Sequence, residues 1–300
     1  MKQQISISRF ADRWFKYLSI FPVLLLLVGL SVYPLLQLVN LSFAKVGVEG
    51  GKQVSHWIGL TNYTDAIKDK IFHLAFLNTI KYAVISVGLE LLCSFSLALL
   101  VNRIRRGNTF YRTVFLLPFL IPPIVNGTMW RLLYDGQFGL INMVFRTLGI
   151  EPQNWLSSPG PAFNTVLVTS LWQWIGYTFL LFSAGLQMIP DSVLEAAEID
   201  GARGLYKIRR IILPMLKDTL LVILTFRTIN AFKVFDLFYV ITGGGPGNST
   251  EILNTYIQKL FMTERRIGYG SALSVICIVI IGVAAFLLRR MVYAQDREEP

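Results

Sequence analysis

The sequence predicts an all-α, polytopic membrane protein with six transmembrane helices, on three observations. Apolar residues make up 54% of the 300 and charged residues 15%, against about 45–50% and 25% in soluble domains. Six stretches are long and apolar enough to cross a bilayer, which takes about 20 residues in a helix. The loops between them alternate in basic content. This composition excludes a soluble enzyme, a disordered chain and a disulfide-rich secreted module. The apolar runs are continuous rather than alternating, which excludes a β-barrel. A formal charge of +10, from 28 Lys and Arg against 18 Asp and Glu, would suggest nucleic acid in a soluble protein. Beside a membrane it reads as basic cytoplasmic loops near anionic lipid. Membrane lipid is therefore an expected partner and nucleic acid is not.

The first span, Tyr17–Val39, follows a basic arm over residues 1–16. It is too long for the apolar region of a signal peptide and no small-x-small cleavage site follows it. It reads as an uncleaved signal anchor. The second, Phe76–Asn102, carries Lys81 and Glu90, and the third, Thr113–Tyr134, carries Arg131. The fourth, Phe163–Ile189, is uncharged. The fifth, Leu220–Thr242, carries Arg227, Lys233 and Asp236, and the sixth, Tyr269–Leu288, is uncharged.

One set of loops holds Lys2, Arg9, Arg13 and Lys16, then Arg103, Arg105, Arg106 and Arg112, then Arg203, Lys207, Arg209, Arg210 and Lys217, and finally Arg289, Arg290 and Arg297. The other set holds half as many: Lys45, Lys52, Lys68 and Lys70, then Arg146, then Lys259, Arg265 and Arg266. The positive-inside rule makes the richer side cytoplasmic, with both termini inside.

Familiar catalytic chemistry is missing. The sequence has no GxxxxGK[ST], HExxH or GxSxG pattern and no Cys/His cluster. Cys93 and Cys277 fall inside spans and read as small core residues. His56 and His73 have no second ligand at metal spacing, so no metal site is expected. Asn248-Ser249-Thr250 fits a glycosylation acceptor, a short pattern with little weight.

The loop from Pro190 to Pro214 is the most informative segment. Pro190 ends a span, and Ser192 with Glu195 three residues later fits a capping box. Gly201 fits a helix C-cap. A second helix is expected from about Ala202, with Leu205, Ile208, Ile211 and Ile212 on one face. The run EAAEIDGARGLYKIRRIILP resembles the EAA loop of binding-protein-dependent ABC importer permeases, roughly EAAxxDGAxxxxxFxxIxLP. Glu195, Ala196, Ala197, Asp200, Gly201, Ala202, Ile211, Leu213 and Pro214 match it, and Ile208 stands where the family has Phe. The resemblance implies a type I importer permease whose coupling helix, within residues 190–214, docks on a separate cytoplasmic ATPase. Glu195 has two readings: a helix cap alone, or a cap that also touches a partner.

Further segments narrow the branch. Ile58-Gly59-Leu60-Thr61-Asn62-Tyr63, Phe76-Leu77-Asn78-Thr79, the run Trp130–Asn142 and the loop Thr242–Thr250 with Gly268-Tyr269-Gly270-Ser271-Ala272 resemble first-subunit carbohydrate permeases of the maltose and lactose type. The likeness spans about Trp57–Met291, with the permease core over residues 76–290. It implies a heterodimer with a second permease, two ABC ATPase subunits, an extracytoplasmic sugar-binding protein and a carbohydrate substrate in a bacterial inner membrane. ATP and Mg would bind the partners and not this chain, which is not expected to be an enzyme. The loop Gly243, Gly244, Gly245 and Pro246 is expected to face the binding protein.

Charged residues inside a span face protein or water. On a continuous helix, Asn230, Lys233 and Asp236 share an arc of about 120°, with Arg227 opposite Asp236. They either border a translocation path, or Lys233 and Asp236 merely cancel each other's charge. Gln173, Trp174 and Tyr177 share an arc of about 100°. They either face a sugar, with its apolar C–H faces and hydroxyl edges, or anchor the helix at the interface. Glu90 fits a contact to another helix or a cavity equally. The rival functions are an importer permease for amino acids, peptides or phosphate compounds, a secondary transporter or channel, and a membrane enzyme.

Overall fold

In the computed structural model, residues 2–49, 52–102, 104 and 107–294 are described, with backbone alone for 2–14, 16, 18, 48, 49, 53 and 291–294. Of the basic residues that set the expected orientation, Arg103, Arg105, Arg106 and Arg297 lie outside the described residues. The chain divides into two units, Met1–Lys68 with Leu260–Ile276 and Asp69–Lys259 with Cys277–Pro300.

The first unit opens with α1, Lys2–Ser42. No glycine or proline separates the basic arm from the apolar stretch, so the helix starts well before Tyr17. Leu24, Leu25, Leu26 and Leu27 are each more than half exposed. A hairpin follows, with β1 (Ala44–Glu49) and β2 (Lys52–Trp57) antiparallel and Ala44 opposite Trp57. Then comes α2, Thr61–Lys68. The Asn62 amide donates to the carbonyls of Ser42 (2.9 Å) and Ala44 (3.1 Å), closing the end of α1 that its own helix cannot satisfy.

The second unit holds α3 (Lys70–Asn102), α4 (Asn108–Leu116), α5 (Pro123–Leu133), α6 (Leu140–Thr147) and α7 (Pro159–Gln187). Next come α8 (Asp191–Ile199), α9 (Gly204–Lys207), α10 (Leu213–Met215), α11 (Lys217–Phe232) and α12 (Asp236–Ile241). The helices α13 (Leu253–Met262) and α14 (Ile267–Ala294) complete the chain. The core lies between α3, α7, α11 and α12. One cluster packs Tyr82, Phe163, Phe238 and Ile241, and a second packs Ala98, Phe179, Phe182, Leu216 and Ile223.

Two of the six expected spans are broken helices. Among the described residues four helices are long and apolar enough to cross a membrane unaided: Ser19–Ser42, Lys70–Asn102, Pro159–Gln187 and Ile267–Arg290. The third expected span is bent by 90° between Asn108–Leu120 and Pro123–Leu133. Prolines cause the bend: Pro118, Pro122 and Pro123 supply no backbone N–H, and Ile121 turns to an extended conformation. The fifth is interrupted between Phe232 and Asp236, where the Asn254 amide donates to the carbonyls of Phe232 (2.9 Å) and Val234 (2.8 Å).

Three helices are pinned by charge. Arg227 of α11 donates through Nε (2.7 Å) and Nη2 (2.6 Å) to both carboxylate oxygens of Glu90 on α3, and both side chains are 1% exposed. The Thr178 hydroxyl of α7 donates to the same carboxylate. The guanidinium lies 3.7 Å from the ring centre of Trp174, also on α7. Close approach elsewhere depends on glycine: a Cβ at Gly176 would run into the backbone carbonyl of Phe115. Gly176→Ala is therefore expected to lower stability by about 1–3 kcal/mol. Gly282→Ala, where a Cβ meets nothing, should show no loss. Thermal melting of the purified protein in detergent checks both.

Candidate coupling loop and translocation cavity

The coupling loop starts differently from the sequence expectation. The N-cap of α8 is Pro190, with extended backbone and no side-chain cap. Ser192 is already inside the first turn, so the capping box with Glu195 does not form. Proline at the junction sets the entry geometry by itself, and Asp191 supplies the first-turn negative charge that suits a helix N-terminus. At the other end Gly201 takes φ +78°. Its N–H bonds to the Glu198 carbonyl (3.1 Å), and the N–H of Ala202 bonds to the Ala197 carbonyl (2.8 Å). That pair of bonds is a Schellman cap, which needs a residue at home in the left-handed region.

The second helix is also shorter than expected. After α9 the chain makes a π turn over Ile208–Ile212. Ile212 is buried, Ile208 and Ile211 are half-buried, and Leu205 is 78% exposed, so these four do not form one buried face. Lys207 ties the two arms together, donating to the Leu194 carbonyl (3.2 Å) and to Glu198 (2.8 Å). That bond and the lysine's charge hold the Glu198 carboxyl below its usual range.

The matched residues separate by direction. Ala197 and Ala202 are buried (both 6%) and root the loop. Glu195, Ala196, Asp200, Gly201 and Pro214 are exposed, while Ile208 and Leu213 are half-buried. Ile199 is 86% exposed and joins Glu195 and Ala196 on the open side. Behind the loop lies a cavity of about 450 Å³, lined among others by Leu99, Asn102, Glu198, Lys207 and Ile208.

The glycine loop after α12 is built around a buried carboxylate. Gly244 is buried, and a Cβ there would strike the Glu251 carboxylate. Glu251 is 3% exposed and accepts from the Thr255 hydroxyl (2.6 Å). Burial pushes its carboxyl above the usual range. Gly243 is exposed, and Gly245 and Pro246 are half-buried. Asn78 donates to the carbonyls of Ser249 (3.0 Å) and Glu251 (2.9 Å), fixing the loop to α3.

A cavity of about 200 Å³ gathers Gln173, Trp174, Asn230, Lys233 and Asp236 with Tyr82, Pro123 and Arg227. The helical arc assumed for Asn230, Lys233 and Asp236 does not exist, because α11 stops at Phe232. Asn230 in the last turn of α11 and Lys233 and Asp236 at the break after it line the cavity together instead. The break also removes the i,i+3 geometry, and no Lys233–Asp236 ion pair forms among the described residues. Tyr177 is not part of the lining. It stacks on Phe119 (4.5 Å) and packs on Phe226.

Both helix breaks border this cavity. The Gln173 amide donates to the Ile121 carbonyl at the 90° bend (3.0 Å) and accepts from Asn126 (2.9 Å), and residues 233–236 also line the cavity. Irregular backbone at membrane depth persists where protein buries it or it lines a cavity. Arg227 and Asn254 were not among the sequence candidates. The available signal for Arg227 was electrostatic: Glu90 and Arg227 are opposite charges on two apolar segments, each in need of a partner.

The comparisons place the chain. The model of the binding-protein-dependent transport system inner membrane component family matches residues 90–298. The chain is 37% identical over 228 residues to the trehalose/maltose transport system permease protein MalF of Thermococcus litoralis, covering 75% of this chain and 76% of that one. It is 35% identical over 285 residues to the sulfoquinovosyl glycerol transport system permease protein SmoG of Agrobacterium fabrum, covering 95% and 92%. A crystal structure of a bacterial ABC transporter that imports alginate shares its fold, with a TM-score of 0.84 at 20% identity over 98% of this chain and 100% of that one. With its bent and interrupted helices meeting at one cavity, the chain belongs to the binding-protein-dependent transport system inner membrane components.

Proposed function

We propose that this chain is the first-subunit permease of an ATP-driven carbohydrate importer. It forms half of a translocation path, pairs with a second, related permease, and couples through α8 to one of two cytoplasmic ATPase subunits that bind ATP and Mg. An extracytoplasmic sugar-binding protein delivers the solute to the loops around Gly243–Pro246, and both termini are cytoplasmic. The observation that carries this reading is the outward presentation of Glu195, Ala196 and Ile199 on a helix rooted by Ala197 and Ala202. Small residues admit a close partner backbone, and a bare Ile199 suits an apolar groove. The two relatives named for sugar and sugar-glyceride transport support a carbohydrate solute.

Mechanically, closure of the ATPases would pull on α8. The Schellman cap and the Lys207 ties hold α8 and α9 together, so the two would move as one piece. The pull would pass through Ile212 and Leu216, both buried against α7, to α11 and the cavity wall. The energy is supplied outside this chain, and the spans alternate between two states of access.

Two outcomes follow. Gly201→Asp places a side chain at φ +78°, which costs about 1–2 kcal/mol, so ATPase co-purification and sugar uptake should both fall while membrane insertion stays normal. Gly201→Asn, better suited to that conformation, should lose less. Undiminished co-purification and uptake in the aspartate variant would refute the docking role. At the cavity, Asn230→Ala should reduce uptake about 5–10-fold, the loss of roughly one hydrogen bond. Tyr177→Ala should lower the melting temperature through lost ring packing, since Tyr177 stands outside the lining.

A further inference from the structure

Arg227 carries a donor that the fold does not use. Its Nε and Nη2 are both spent on Glu90. A guanidinium is planar and its N–H bonds fan out in a fixed fork. The edge that meets a carboxylate side-on therefore leaves Nη1 on the far side. Nη1 is buried and meets no hydrogen-bond partner among the described residues. Native structures keep few such groups, and each calls for a reason.

The surroundings supply one. Arg227 forms part of the wall of the 200 Å³ cavity beside Trp174, Gln173 and Asn230. Trp174 holds the guanidinium plane at 3.7 Å, Thr178 and Glu90 hold its other edge, and the side chain is 1% exposed. It has little room to turn away. Its charge is offset by Glu90, and the other two charges of the lining, Lys233 and Asp236, are opposite in sign. The wall and the carboxylate behind it thus sum to zero. Hydroxyl groups suit such a site, and carboxylates or phosphates gain no net attraction.

We propose that Arg227 is a specificity-determining residue: its Nη1, closed off in the arrangement described, donates to a hydroxyl of an uncharged sugar when the cavity widens around a solute in transit, while Glu90 masks the cation that would otherwise draw in anionic solutes. This rests on the carbohydrate-permease reading above. The test uses the complete transporter with its binding protein in proteoliposomes, and radiolabelled neutral sugars from glucose to maltotetraose.

Two variants remove the donor. Arg227→Lys keeps the ion pair and loses the far edge of the fork. The double variant Glu90→Gln with Arg227→Met removes both charges at similar volume. Each is expected to cut uptake of the best-transported sugar at least tenfold while the subunits still co-purify. If the double variant fails to assemble, Arg227→Lys alone decides. A third variant, Glu90→Gln, unmasks the cation while its amide oxygen still accepts from Arg227; leaving that buried charge uncompensated is strongly destabilising, so if this variant fails to assemble Arg227→Lys alone decides. Glucuronate at a concentration without effect on the wild type is expected to inhibit its uptake at least fivefold, and because both proteins use the same binding protein the difference reports on the permease. Wild-type uptake of none of these neutral sugars would overturn this inference, and failure of acidic sugars as well would overturn the carbohydrate reading. Uptake within twofold of wild type in Arg227→Lys, or no glucuronate inhibition of Glu90→Gln, would overturn this inference alone.

Discussion

Two opposite charges buried side by side set the register of the helices around them. Glu90 and Arg227 stand on α3 and α11, and the same carboxylate takes the Thr178 hydroxyl of α7. Apolar side chains in lipid can slide past one another at little cost, because lipid tails are as good a solvent as leucine. A bidentate ion pair cannot slide. Withdrawing one partner leaves an unpaired buried charge, which costs about 3–5 kcal/mol. The apolar clusters on either side, around Phe238 and around Phe182, then pack in one arrangement instead of several.

Given that anchor, the interior tolerates two broken helices. At each break an amide side chain stands in for the missing backbone partner, Gln173 at the Ile121 carbonyl and Asn254 at those of Phe232 and Val234. The breaks create the polar wall of the cavity. Continuous helices would have turned much of that backbone inward on itself, leaving fewer polar groups at the cavity.

Much of this was legible in the sequence. Apolar stretches of 20 or more residues located the membrane helices, because length and composition alone decide whether a helix can cross. The gapless EAA pattern singled out the segment that folds as α8 and α9, and Gly201 behaves as a C-cap glycine should. The failures have physical reasons. A proline cluster such as Pro118, Pro122 and Pro123 signals a bend, but its angle depends on what Gln173 offers from another helix. The break after Phe232 has no local signal, since no proline or glycine stands there; it depends on Asn254, about twenty residues away. The capping box failed because Pro190 already occupied the position that Ser192 would have needed. The pairing of Glu90 with Arg227 is a long-range fact, visible only as two charges in want of partners.

The Asn254 contact has a mechanical consequence. The turn at residues 233–235 is held from outside its own helix, so its shape is set by the segment that carries Asn254. A displacement of that segment by an ångström would draw the Phe232 and Val234 carbonyls with it and reshape the wall beside Lys233, with α11 left straight. The link behaves as a tether of fixed length between the glycine loop and the cavity. A shift of that loop would thus reach the cavity without any helix having to tilt.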